Sequence, residues 1–335
     1  MAGTLIILAN ITAFAQHQKV KVATIAFYNL ENLFDTINDP EKNDEEFLPA
    51  GANHWTSERY QKKLANMSKV ISQVGDEFIK GGPTLLGVSE IENRLVLEDL
   101  IKTPALANSG YDIVHYDSPD GRGVDVGLIY RKRDFTVINS VSARLNMPGE
   151  PGWKSRDQLV VTGLLDGDTI SVIVNHWPSR GNQPPYRAAA AGLTRSLADS
   201  LYKVSSRAKM IIMGDLNDDP VDESVFVILG AEGREPKVKP GMLFNPMWKM
   251  FRNGIGSLAY RDSWNLFDQT IISEPLLNDK SGAWHWYRTK VYNQPFLITR
   301  DGQYAGYPFR TFAGGAYAGG YSDHLPVYTI IVKEN

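Results

Sequence analysis

The chain has 335 residues, 43% of them hydrophobic and 22% charged, a composition that suits an ordinary globular protein with a large core. A formal net charge of −3 excludes a global basic field, so a nucleic-acid partner would have to be held by a local patch and bound cations. With no cysteine, disulfides and thiolate metal sites are excluded. Oxygen and imidazole ligands remain, favouring magnesium, manganese or calcium over structural zinc.

Thr4 to Ala15 form a short apolar run ending in Ala13-Phe14-Ala15, and polar Gln16-His17-Gln18-Lys19 follow. The run is too short for a lasting membrane span and ends as a secretory signal does, although a positively charged start is missing. A buried first strand is the alternative, which Asn10 and the small residues oppose. Residues 1–15 are thus expected to be a signal peptide and 16–335 one domain. The mature chain is expected to be secreted or periplasmic, with no transmembrane anchor, no obligate protein partner and a monomeric state.

Val22 to Asn29 reads as a strand, and the acidic stretch 36–54, with Pro40, Pro49 and Gly51, as a surface loop. Thr56 caps a predicted helix whose apolar face runs through Tyr60, Leu64, Met67, Ile71, Val74 and Phe78. Thr84 to Val88 is a short buried strand, and Leu95 to Ile101 a short helix. Strand signals follow at Tyr111–His115, Val124–Tyr130, Phe135–Ala143, Leu159–Leu165 and Ile170–Asn175. Ala188 to Tyr202 is helical and Lys209 to Met213 a buried strand. Residues 231–259, rich in Gly, Pro and Met, read as a long irregular insertion. Strands resume at Trp264–Ser273, Trp284–Tyr292 and Val327–Val332. Strand pairs joined by short turns outnumber simple βαβ units. The expected fold is a layered α/β sandwich, two mixed β-sheets packed together and flanked by helices.

Polar groups follow directly on the apolar strands. Asn29 and Glu31 close the first, Glu90 and Glu92 the second, and Asn175-His176-Trp177 and Gly214-Asp215-Leu216-Asn217 two later ones. Asp268 and Ser322-Asp323-His324 complete the series. Singly, each has an ordinary structural role: Asp215 and Asn217 could form an Asx-turn, and either histidine could be a hydrogen-bonded strand end. Together, two histidines, several carboxylates and two asparagines at strand ends would converge on one sheet edge.

Taken in order, Asn after the first strand, Ser-Glu after the second, Asn-His, Gly-Asp-x-Asn, a strand-borne Asp and Ser-Asp-His resemble the endonuclease/exonuclease/phosphatase superfamily, of DNase I-like fold. The stretches Asn29-Leu30-Glu31-Asn32-Leu33-Phe34-Asp35 and Arg122-Gly123-Val124-Asp125-Val126-Gly127-Leu128-Ile129-Tyr130 look like its bacterial extracellular-nuclease branch. The usual Gln before the catalytic Glu is here Ser89. The resemblance implies that Glu90 is the main ligand of a divalent cation, Mg2+ foremost with Mn2+ or Ca2+ as substitutes, supported by Asn29 and Asp323. It implies His324 as general base oriented by Asp268, and Asp215 and Asn217 positioning water and phosphate. His176 would act on the phosphate or leaving-group side with Asp125, on the Tyr130 strand, as carboxylate partner. Arg156, in Ser155-Arg156-Asp157, would contact phosphate or support the site. Beside the resemblance, Arg180 could bind phosphate, and Trp177 and Tyr186 flank His176 and Arg180, so a base could stack there; the alternative is that the arginines are ordinary surface charges and Trp177 a core aromatic.

The implied function is a secreted metal-dependent phosphodiesterase, a nuclease on DNA or RNA. Alternatives are a phosphatase or sphingomyelinase-like hydrolase of an inositol phosphate or phospholipid, and an inactive binding protein on the same fold. For the lipid alternative, Met242, Phe244, Met247, Trp248, Met250 and Phe251 could form a membrane-facing loop, or else pack over the core. A Ser-His-Asp hydrolase is disfavoured, because Ser322 adjoins its supposed partners and no Gly-x-Ser-x-Gly elbow occurs.

Overall fold

The computed structural model describes residues 20–277 and 282–334, so the expected signal segment lies outside the described residues. One sheet has six strands in the order β14 (His285–Val291), β17 (Val327–Glu334), β1 (Val20–Leu33), β2 (Leu85–Ile91), β4 (Asp125–Arg131) and β3 (Tyr111–His115). The other has seven, in the order β5 (Phe135–Ala143), β6 (Gln158–Leu165), β7 (Asp168–His176), β8 (Lys209–Asp215), β13 (Asp268–Ser273), β10 (Leu243–Phe244) and β9 (Ala231–Glu232). Both are mixed: β1–β2, β7–β8 and β9–β10 pair in parallel, the other neighbours antiparallel. Two short hairpins, β11 (Leu258–Tyr260) with β12 (Ser263–Asn265) and β15 (Phe312–Ala313) with β16 (Ala316–Tyr317), are added at the loops.

Strand alternation builds the layers. On β1, Ala23, Ile25 and Phe27 enter the core between the sheets, while Ala26, Tyr28 and Leu30 enter the core beneath α1 (Ser57–Ile71) and α2 (Arg94–Lys102). On β8, Ile211 and Met213 face the intersheet core; Met210 and Ile212 face α3 (Pro184–Val204). The central strands are therefore apolar on both faces, which is why they read as continuous hydrophobic runs.

Thr56 does cap α1, its side chain accepting from the Arg59 amide. The helix ends at Ile71, however, seven residues before Phe78. Gly75 adopts a left-handed φ of +73°, and a β-carbon there would run into Thr24, so the chain turns where the apolar spacing alone predicts more helix. Residues 231–259 are also more ordered than expected. They hold β9, β10, α4 (Trp248–Arg252) and β11, two of which extend the seven-stranded sheet. Phe244 and Met247 are buried in the intersheet core, with Met250 and Phe251 packed against it. Burying such side chains stabilises by about 1.5–3 kcal/mol each, so this cluster is core and not a membrane-facing loop. The expected strand Trp264–Ser273 is broken at Leu266, whose amide turns aside to donate to Asp219 at 2.7 Å. No helix among the described residues is long and apolar enough to cross a membrane.

Candidate active site

Strand register gathers the site. On three adjacent strands His176 pairs with Asp215, and Asp215 with Asp268, so the three side chains lie side by side at one sheet edge. On the facing sheet Asn29 of β1 pairs with Ser89 of β2, just before Glu90. Register then slips on both sides of β2, where Glu90 takes φ +56° and, on β1, Glu31 and Asn32 take +47° and +52°. With Asn217 at +51°, four of the eight described non-glycine residues in left-handed backbone surround this cleft. Such conformations cost about 1–3 kcal/mol each and concentrate where a fold aims a functional side chain. The bulge at Glu90 turns its carboxylate out of the sheet and into the cleft.

The cleft is open and polar, about 490 Å3, and its lining includes Glu90, His176, Asp215, Asn217 and His324 together with Arg122, Trp153, Lys154 and Arg156. His324 Nδ1 lies 2.7 Å from Asp268 Oδ2, which also accepts from the Ser257 hydroxyl. Its Nε2 faces Asp215 Oδ2 at 3.8 Å. Burial would lower the pKa of His324, but the carboxylates of Asp268, Asp215 and Asp323 outweigh it and hold the ring well above its usual value. His176 Nε2 stands 3.7 Å from Glu90 Oε1 and 3.8 Å from Asp215 Oδ2. Its Nδ1 is buried with no hydrogen-bond partner among the described residues. Burial, then the nearby Arg156 and Arg122, push its pKa well below the usual histidine value. Burial also raises Asp215, to about 7.

Several expected roles change. Asn29 directs its amide nitrogen at Glu90 (3.2 Å) and Asp215 (3.1 Å), and its oxygen is taken by the Glu31 amide at 2.8 Å. In this arrangement it positions the two carboxylates. Asp323 Oδ2 is bound by Arg310 at 2.7 Å, and Asp323 is absent from the described donor groups close enough to share an ion. Asp125 is the partner of His115 (3.0 Å) and of Ser118, not of His176. Tyr130 pairs with Leu85 at the opposite end of β2 from Glu90 and packs on Phe135, remote from the cleft. Trp177 is wholly buried, its indole donating to Asn175 at 3.1 Å, so it cannot stack a base. Its carbonyl instead receives Arg156 at 2.7 Å and Asn217 at 3.0 Å. Arg156 does line the cleft, braced by Asp120 at 3.1 Å. Arg180 does not: it is held by Asp218, Asp219 and Asp222 and lies 4.3 Å over the Phe267 ring.

Other residues around the cleft make supporting contacts that no sequence motif announces. Ser257, inside the stretch read as irregular, fixes Asp268. Glu31 is buried and bound by Arg310, Lys63 and the Thr311 amide, which anchors the 309–323 loop beside His324. Their only trace in the sequence is the polar cluster after β1.

The donor set fits a hard divalent cation. Glu90, partly exposed in the cleft, offers carboxylate oxygens that accept, among the described residues, from Asn29 and the Asn32 amide, and ligand atoms of Glu90, His176 and Asp215 all lie within 4.8 Å of one another.

A family model described as the endonuclease/exonuclease/phosphatase family matches residues 24–333. No curated protein matches the chain at a significant level. Among solved structures, TDP2 of D. rerio complexed with a single-strand DNA product superposes with a TM-score of 0.56 at 14% identity, over 92% of this chain and 98% of that one. A mannosyl-6-phosphatase of Bacteroides thetaiotaomicron gives 0.56 at 16% identity, over 92% and 99%. An endonuclease/exonuclease/phosphatase family protein of the same bacterium gives 0.54 at 16%, over 94% and 98%. At these identities the superpositions establish the fold, and the family match spans nearly all described residues. The chain belongs to the endonuclease/exonuclease/phosphatase family and is a hydrolase of phosphoric esters, a class that works with a divalent metal.

Proposed function

We propose that this chain is a phosphodiesterase acting on nucleic acid, DNA or RNA. The observation that carries this reading is the pairing, within one open cleft, of a carboxylate–histidine centre with a rim of Arg122, Lys154 and Arg156. A chain of net charge −3 has no other means of holding a polyanion than such a patch and a bound cation. Further support comes from the DNA product held by the D. rerio relative of the same fold and from the motif resemblance to extracellular nucleases. Export is proposed on the Thr4 to Ala15 run alone.

In its neutral form His324 accepts the proton of the attacking water at Nε2, with Asp268 fixing the ring through Nδ1; the surrounding carboxylates make it a strong acceptor and place that form on the alkaline side of its raised pKa. Asp215 and Asn217, tied together by the Asn217 amide on Asp215 Oδ1 at 3.0 Å, orient water and phosphate. His176, neutral and adjacent to Glu90, donates a hydrogen bond to the phosphate or leaving oxygen, and Arg156 meets the phosphate charge. Glu90 would hold the cation, Mg2+ by preference, with Mn2+ or Ca2+ as substitutes. When bound, it polarises a phosphoryl oxygen and offsets developing charge.

The test is a panel of plasmid DNA, single-stranded DNA, RNA, sphingomyelin and a sugar phosphate, each with Mg2+, Mn2+, Ca2+ or chelator. Metal-dependent cleavage of DNA or RNA is expected. Turnover of the lipid or sugar phosphate with no cleavage of any nucleic acid would sink the reading.

A further inference from the structure

The proposed chemistry uses the cleft floor, yet the rim carries a built aromatic feature. Trp153 lines the same cleft as Glu90, His176 and His324, on the loop between β5 and β6. It is half-buried and packs against the core cluster beneath α3. Its ring lies 5.0 Å from that of Tyr186, inclined at 48°. The Tyr186 hydroxyl donates to Glu150 at 2.8 and 3.0 Å, and the Trp153 amide donates to the Glu150 carbonyl at 3.0 Å, so one residue steadies both rings. Exposed Lys154 and Arg122 flank Trp153 along the rim.

A fixed indole that keeps exposed surface in a polar cleft has a π-face to offer, and cations beside it suit the charge of a sugar–phosphate chain. Phosphate chemistry needs no such ring, whereas a nucleobase beside the scissile phosphate has a flat face that matches it. We propose that Trp153, braced by Tyr186, is a stacking subsite for a nucleobase adjoining the scissile phosphate, with Lys154 and Arg122 holding the neighbouring phosphate. The inference rests on the nucleic-acid reading above and deepens it. Because every base has a π-face, the subsite selects base-bearing strands without selecting a base.

The measurement compares a short single-stranded DNA with the same strand made abasic around the cleavage site. The wild-type protein should show the lower KM on the base-bearing strand. Trp153→Leu should raise that KM roughly tenfold, with kcat within about twofold and the abasic KM unchanged, and Trp153→Tyr should restore most of the difference. Equal wild-type KM on the two strands, or an equal rise on both in Trp153→Leu, overturns the subsite and leaves the nuclease reading standing. The wild-type comparison needs no variant, so a Leu protein that fails to fold does not block the test. The same comparison is run on an RNA strand, and cleavage of no DNA or RNA strand overturns the nuclease reading, and the subsite with it.

Discussion

His324 and His176 face the same oxygen, Asp215 Oδ2, each at 3.8 Å, and both are buried. Their surroundings are opposed. Asp268 grips one ring at 2.7 Å and two more carboxylates stand near it. The other has an unpartnered Nδ1 and two arginines close enough to repel a proton. Two residues of one type, matched in burial, thus receive opposite charge preferences from their neighbours, and charge preference is what separates a proton acceptor from a neutral hydrogen-bond donor.

The widest break between the two histidines is expected in turnover. His324→Ala should lower kcat by about 10^3-fold, and His176→Ala by about 10^2-fold, each measured at saturating metal. Equal small losses would remove the distinction. Asp268→Asn, which keeps the shape but removes the charge on His324 Nδ1, should cost about 10^2-fold with little change in KM. Glu90→Gln acts beside His176, and its expected signature is different. The divalent cation needed for half-maximal rate should rise by at least about tenfold, with activity partly recovered at high concentration.

The same contrast has a pH signature in the metal-free protein. The raised pKa of His324 means that the folded state binds the extra proton above the ordinary value of 6.5. Its stabilisation is complete below that pH and is lost as pH rises through the folded value. The lowered pKa of His176 acts on the other side. The folded state lacks a proton that the unfolded chain binds below 6.5, so its stability is intact above 6.5 and erodes as pH falls toward the folded value. With chelator present, His176→Gln should therefore flatten the acid side of a melting-temperature profile, and His324→Gln the alkaline side. Both variants flattening the same side would contradict the opposed environments.

How much of this was legible depends on range. Strand ends were readable because apolar runs stop where polar residues begin, and parallel or antiparallel register then brings His176, Asp215 and Asp268 together. The partnership of each polar group was not readable, since it is fixed by contacts far apart in the chain. Asp125 precedes Tyr130 on one strand, but its carboxylate meets His115 across the β3–β4 pair. Trp177 adjoins a catalytic candidate in sequence, and alternation puts its ring in the core. Ser257 and Arg310 come from loops with no periodicity, where nothing local announces that one fixes Asp268 and the other Asp323.

Arg180 supplies the smallest and most discriminating effect. On sequence it was grouped with Arg156 as a phosphate binder, and both now have defined partners. Arg156 is buried in the cleft wall, whereas Arg180 sits outside it, bridging Asp218, Asp219 and Asp222 while its Nε donates to the Asn217 carbonyl at 3.2 Å. Its side chain is 42% exposed, so solvent screens these pairs and their removal should cost only about 1 kcal/mol of stability. Arg180→Met should accordingly leave KM for a DNA strand within about twofold, while Arg156→Met, which removes a charge lining the cleft proposed to hold the phosphate, should raise it by about tenfold or more. A large KM rise in Arg180→Met would mean that the acidic cluster releases the guanidinium to substrate, and would move this residue back into the cleft.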